Sequence, residues 1–308
     1  MSVDGNSADQ VHLAERVPGW AGRVTRIESL EGGFTNRNLK VTLENGDCFV
    51  LRIAGKDTAL LGIDRLVELA ANRNAAAAGV APTPVAFLEP EQYLVTRFIE
   101  ASPVPDLSTD DVMQQVGAIL RTVHAGPRLA TDFGCFTIGA RYAATALERG
   151  VRLPPEFERA QIVCAQIELA FARNPEADVP AHNDLLNTNF LRDNVGKVWL
   201  IDWEYAGMNS RWFDLGNLST NHELTEDGRA ALLHAYVGHV TPQGLAKIEL
   251  MQVMSDMREA MWGVVQQGIS TLDVDYVAYA ATHFDRLLQN ATAPKFRQAL
   301  ETTESSPQ

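Results

Sequence analysis

The chain has 308 residues, 46% of them hydrophobic and 21% charged, with a formal net charge of −13. That is enough apolar chain for two lobes or domains, and the acidity argues against nucleic acid or an anionic membrane as partner. No apolar run reaches the length of a membrane span, residues 1–10 lack a signal-peptide core, and Cys48, Cys135 and Cys164 are too scattered for a disulfide framework or a zinc site, so the expected place is the cytoplasm.

Residues 1 to about 10 read as disordered. Residues 22–30 alternate like a strand, and Glu31-Gly32-Gly33-Phe34-Thr35-Asn36 follows as a glycine-rich loop. Residues 37–43 and 48–53 read as two more strands, with Asn45-Gly46 between them as a two-residue hairpin signal. Glycines let a loop approach phosphates and aim backbone N–H groups at them, and Thr35 and Asn36 add short hydrogen-bonding side chains; a Gly-Gly pair is equally a common turn. Residues 60–78 read as a helix ended by Gly79, with Pro82 beyond. It carries Arg65 and Glu68, at the i,i+3 spacing of a surface ion pair.

Residues 85–88 and 93–98 form another strand pair, and 99–105 has linker composition. This divides the chain into an N-terminal unit, 11–98, and a C-terminal unit, 99–301. From Ser108 onward helices are expected at 112–125, 155–174, 224–239, 243–268 and 274–290, with a disordered tail from Thr302. His124 lies on an apolar helix face and is read as structural.

The most informative stretch is His182-Asn183-Asp184, then Asn189, then Ile201-Asp202-Trp203-Glu204 and Phe213-Asp214-Leu215-Gly216-Asn217. Residues 190–192 and 198–201 are strand-like around the turn signal at 193–196, so a hairpin should bring Asn189 at its entrance close to Asp202 at its exit. Two oxygen donors with Asp184 beside them make a Mg²⁺ and base constellation. The spacing H-x-D-x-x-x-x-N, followed by a strand ending in Asp, matches a kinase catalytic loop and its metal-binding Asp.

Together with Gly32-Gly33-x-Thr35-Asn36-x-Asn38, these motifs resemble the choline/ethanolamine kinase family, within the aminoglycoside-phosphotransferase-like group. The resemblance implies an α+β, bilobal protein-kinase-like fold with an N-terminal antiparallel sheet, one helix in that lobe, and a larger, mostly helical C-terminal lobe. It implies ATP and Mg²⁺ as cofactors and γ-phosphoryl transfer to a small amino alcohol; a kinase for an aminoglycoside, aminosugar or thiamine-like alcohol, or a non-catalytic nucleotide-binding protein, is the alternative. In the implied site Asp184 is the base. Asn189 and Asp202 bind the metal with Glu204 assisting, and the loop residues Gly32, Gly33, Thr35 and Asn36 hold phosphates. Arg52, paired with Glu68, binds phosphates where kinases in general carry Lys. Adenine meets backbone at Arg97, Phe98 and Ile99. His182 and Asp214 brace the loop. Trp262 and Tyr279 match cage positions for a cationic head, with Tyr205 and Trp212 as further members, and Val265 stands where many relatives carry a second Trp.

Overall fold

The computed structural model describes residues 8–30, 36–104, 106–107 and 109–305. Strands β1 (Val24–Leu30), β2 (Asn36–Leu43), β3 (Cys48–Ala54), β4 (Pro84–Leu88) and β5 (Tyr93–Arg97) form one antiparallel sheet in the order β1-β2-β3-β5-β4. The period-2 pattern sends Leu39, Val41 and Leu43 of β2, Phe49 and Leu51 of β3 and Val95 of β5 into one apolar cluster. Ala14, Val17 and Trp20 cover that cluster, Trp20 lying 4.8 Å from the Phe49 ring. Residues 8–10, expected to be disordered, open α1 (Ala8–Glu15), which forms because its end and the turn after it cap the sheet through Ala14 and Val17.

The β2–β3 connection differs from the two-residue hairpin expected from Asn45-Gly46. Leu43 N–H donates to Asp47 O and Gly46 N–H to Leu43 O, and of the pair only Gly46 has positive φ, +83°. A two-residue type I′ loop needs positive φ at both central residues; here a three-residue loop closes with the left-handed Gly46. The helix read at 60–78 is also divided. A 3₁₀ turn, Thr58–Leu61, stops at Gly62 (φ +79°), and Asp64 caps the true helix, α2 (Arg65–Ala77), by accepting from Leu66 N–H at 2.9 Å and Val67 N–H at 3.2 Å. The apolar face of α2 (Val67, Ala71, Ala75) packs into the larger core of the molecule and not into the cluster under the sheet.

That larger core is built by α3 (Asp110–His124), α4 (Ile138–Glu148), α5 (Glu156–Arg173), α6 (Arg211–Asn221), α7 (Glu226–Val237), α8 (Pro242–Ile269), α9 (Tyr276–Thr292) and α10 (Pro294–Glu304). Helix α10, opened by Pro294 and burying Phe296, Ala299 and Thr303, replaces the tail expected from Thr302. Three short strands, β6 (Ala101–Pro103), β8 (Phe190–Asp193) and β9 (Val198–Leu200), form a second sheet in that order, and β7 (Val179–Ala181) pairs with β10 (Gly207–Asn209). Among the described residues no helix is long and apolar enough to cross a membrane.

Helix α8 is buried along most of its 28 residues and α6 lies directly on it. A Cβ added to Gly216 of α6 would stand 2.6 Å from the Met251 main chain, so the glycine permits the close crossing. That crossing sets the height of everything α6 holds above α8.

Candidate active site

The loop after β7 is held from below. The Asp214 carboxylate, in the first turn of α6 and fully buried, accepts His182 N–H at 2.9 Å and Asn183 N–H at 2.8 Å. His124 Nε2 donates to it at 3.0 Å and accepts the Tyr236 hydroxyl at Nδ1, 2.7 Å away. Burial works against the Asp214 charge, but these donors hold its carboxyl below the usual range. His182 donates from Nε2 to Ile201 O at 2.9 Å and accepts Asp184 N–H at Nδ1; burial lowers its pKa, so it is a neutral brace. Asn217 Oδ1 accepts Leu185 N–H at 2.7 Å. Asn183 sits in the left-handed region at φ +66°, a conformation Asn tolerates better than most residues.

The β8–β9 hairpin does what its spacing requires. Phe190 pairs with Leu200, and Ile201 N–H donates to Asn189 O at 3.0 Å, which sets Asn189 beside Asp202. Asn189 Nδ2 donates to Asp184 O at 2.8 Å. Asp202 is left-handed at φ +67°, and its Oδ1 accepts from Arg52 Nη1 at 2.7 Å. The same Arg52 nitrogen donates to Glu68 Oε1 at 2.7 Å. Glu68 Oε2 accepts from Arg65 Nη1 at 2.7 Å, so the strand-to-helix pair with Arg52 and the i,i+3 pair with Arg65 coexist on one carboxylate. Arg65 reaches on to Glu204 Oε2 at 3.2 Å.

A second charged group lies under Asp184. Arg258, 2% exposed on α8, donates from Nη1 to Asp184 Oδ1 at 3.1 Å and to Glu259 Oε1. Its Nη2 and Nε have no hydrogen-bond partner among the described residues, and its guanidinium lies 4.3 Å from the Tyr205 ring centre. Across both groups five carboxylates (Glu68, Asp184, Asp202, Glu204, Glu259) face three guanidiniums (Arg52, Arg65, Arg258). Too few cations for so many buried acids has a visible effect. Burial pushes the Asp184 carboxyl up to about 8, with Arg258 pulling the other way and Glu259 adding to the rise, and burial likewise raises Glu204.

All of this opens on one cleft of about 890 Å³. Arg52, Glu68, Arg97, Phe98 and Ile99 line it, as do Asp184, Asn189, Asp202 and Glu204. Glu259, Trp262, Tyr276 and Tyr279 line its other part. Tyr279 donates its hydroxyl to Glu259 Oε2 at 2.8 Å, and Trp262 meets Tyr276 and Tyr279 edge-on at 5.8 and 5.5 Å.

Other expected site residues have further partners in the structure. Trp212 does not line the cleft: α6 turns it into another part of the core, where its indole N–H donates to Glu176 at 2.8 Å and Lys247 lies over its ring. Tyr205 lines the cleft, but Arg258 covers its face and its hydroxyl accepts Trp262 Nε1–H at 2.9 Å. Asn36, expected beside the phosphates, also bonds to the charged groups of the site. Its Nδ2 donates to Glu204 Oε2 at 2.7 Å and its Oδ1 accepts from Arg65 Nη2 at 3.0 Å, tying the start of β2 to the carboxylate network. Glu204 Oε2 thereby accepts from both Asn36 and Arg65. The N–H groups of Arg97 and Phe98 are already donated to Thr83 O and Cys48 O, leaving neither for a base. Gly32, Gly33 and Thr35 lie outside the described residues. Arg258, Glu259 and Tyr276 escaped the sequence reading. The available signal was Asp256-Met257-Arg258-Glu259, three charges close together on a helix whose neighbouring residues, Val253-Met254 and Ala260-Met261-Trp262, are apolar.

A sheet lobe joined to a helical lobe, with an Asp-bearing loop and an Asn–Asp hairpin at the cleft between them, defines a phosphotransferase of the kinase-like class. Residues 26–250 match the phosphotransferase enzyme family, and the chain belongs to it. Among its relatives, human ethanolamine kinase 2 is 23% identical over 304 residues, covering 89% of this chain and 78% of that protein. The structure of a choline/ethanolamine kinase family protein from Mesorhizobium loti superposes with a TM-score of 0.82 at 28% identity, covering 96% of this chain and 98% of that one. Choline kinase LicA from Streptococcus pneumoniae shares the fold with a TM-score of 0.76 at 23% identity, covering 92% and 99%. The chain is a small-molecule kinase.

Proposed function

We propose that this kinase moves the γ-phosphoryl group of ATP to the hydroxyl of a small amino alcohol of the choline or ethanolamine type. The observation that carries the reading is the double attachment of Asp184. Its main chain is tied to Asn189 and its carboxylate to Arg258, so it stands between the Asn189–Asp202 pair and the recess of Glu259, Trp262 and Tyr279. Residues 11–98 then serve as the nucleotide lobe and 99–301 as the acceptor lobe. Asp184 orients the acceptor hydroxyl and takes its proton, and Arg52, fixed by Glu68 and Asp202, faces the phosphates. With the Arg97 and Phe98 donors used, base recognition falls to the main chain from Ile99 onward.

Mg²⁺ suits the donor set. Asn189 and Asp202 are hard oxygen ligands, and the surrounding carboxylates outnumber the guanidiniums. Asn189 and Asp202 would hold the ion. Bound there, it supplies neutralisation of the triphosphate charge. Ethanolamine and choline kinases among the relatives support the amino-alcohol acceptor. The test is ADP release with ethanolamine, choline and a neutral sugar. Turnover of at least one amine well above the sugar is expected; good turnover of the sugar with neither amine used rules the acceptor out.

A further inference from the structure

We propose that Glu259 receives the acceptor's ammonium group through hydrogen bonds, which makes the enzyme select amines that still carry N–H over quaternary ones, at two-carbon spacing from the hydroxyl. The inference rests on the amino-alcohol reading and assigns its specificity to one carboxylate.

An aromatic cage recognises a quaternary ammonium by its π faces, because such a head has no N–H to donate. The cleft offers few free faces. Arg258 occupies that of Tyr205 at 4.3 Å, Trp262 is packed edge-on against Tyr276 and Tyr279, and Val265 is fully buried in the core and lines no part of the cleft. What the recess does present is Glu259, 3% exposed, on the same side of α8 as Trp262 and bordering the cleft. One of its oxygens accepts from Arg258 and the other from the Tyr279 hydroxyl at 2.8 Å. A carboxylate oxygen has two lone pairs, so each retains one for an ammonium N–H. Burial opposes the charge, but Arg258, His283 and Tyr279 keep the Glu259 carboxyl below its ordinary range, so the counter-ion is present at neutral pH. The surplus of carboxylates over guanidiniums around the cleft works in the same direction.

The spacing follows from Arg258. Its Nη1 touches both Asp184 and Glu259, so the two carboxylates lie within about two hydrogen-bond lengths, roughly 6 Å, of each other. A molecule that donates its hydroxyl to one and its ammonium to the other must be short, and two carbons between oxygen and nitrogen fit. In the transfer, the acceptor O–H bond breaks with its proton passing to Asp184, the oxygen bonds the γ-phosphorus, and the bond from that phosphorus to the β-phosphate oxygen breaks to release ADP. Glu259 takes no part in the bond changes; it binds.

The experiment is kcat/KM for ethanolamine, N-methylethanolamine, N,N-dimethylethanolamine, choline and 3-aminopropanol on the full chain and on Glu259→Gln and Glu259→Asp. In the parent, loss of the last N–H between dimethylethanolamine and choline should lower kcat/KM at least about tenfold, and lengthening to 3-aminopropanol should do the same. Glu259→Gln should lower kcat/KM for ethanolamine by about 10²-fold, acting mainly on KM, leave KM for ATP within about twofold, and narrow the ethanolamine-to-choline ratio; Glu259→Asp should recover part of the loss. A parent that uses choline as well as ethanolamine, or a Gln variant that loses both equally, overturns the proposal while the amino-alcohol reading stands. A parent that turns over none of the series overturns both. If neither variant folds, the parent series alone still decides, through the choline and 3-aminopropanol ratios.

Discussion

Asp184 is under two opposing demands. To accept a proton it must be ionised, and burial pushes its carboxyl up to about 8. Asp184→Asn should therefore lower kcat at least about 10²-fold while ATP binding persists, and retained turnover would remove the assignment. The pH dependence has a fixed sign. The folded state binds the Asp184 proton where the unfolded chain, at an ordinary 3.8, has released it, so this carboxyl lends stability at low pH that is lost as pH rises through about 8. The melting temperature of Asp184→Asn relative to the parent should climb between about pH 4 and pH 8 and then level off, and the parent's kcat/KM should climb toward about pH 8. A flat difference in melting temperature would mean that the carboxyl titrates like an exposed one. Asp184, Asn189 and Asp202 were legible in the sequence because a tight loop and a hairpin, both local, bring them together. Arg258 and Glu259 were not, because nothing local says that α8 passes beneath residue 184. Trp212 misled for the converse reason: nearness in sequence to the metal motif counted for less than the direction in which α6 turns it.

Among the elements, the α6–α8 crossing is the one through which packing reaches chemistry. Helix α6 carries both Asp214 and Asn217, which together receive the main-chain N–H groups of His182, Asn183 and Leu185. Gly216 lies between those two residues, and an added methyl would meet the Met251 main chain at 2.6 Å. Gly216→Ala should cost about 1–3 kcal/mol of stability by overpacking and also lower kcat by shifting the loop, whereas KM for ATP should hardly move. Thermal unfolding and steady-state kinetics on the same preparation check both parts; an unchanged kcat would show that the loop is independent of the crossing. The strands of the first sheet and the long helices α3, α5, α7, α8 and α9 followed from periodicity and turn signals, and the antiparallel sheet from the family resemblance. The errors came where a cap or a glycine decided the outcome: the split before α2, the three-residue β2–β3 loop, and the last helix, whose opening Pro294 was a readable start signal.

Over the whole molecule, the surplus of buried carboxylates makes stability dependent on what the cleft holds. A ligand at about a hundred times its Kd stabilises by about 2.7 kcal/mol, which for a chain of 308 residues is a rise of about 4 °C in Tm. A non-hydrolysable ATP analogue with Mg²⁺ should produce such a rise and EDTA should reverse much of it; Asp202→Ala should lose the metal-dependent part, and an equal rise in that variant would exclude Asp202 as ligand. The packing of α2 has a consequence of another kind. This helix supplies Glu68, the partner of Arg52, and also places Val67, Ala71 and Ala75 in the core shared with the helical layer. Swinging it outward, as a device for silencing the enzyme, would expose that face to water, at about 1.5–3 kcal/mol for Val67 alone. The face that holds α2 in the core therefore also holds Glu68 against Arg52, so that the apolar packing of one side of the helix keeps the ion pair on its other side in register.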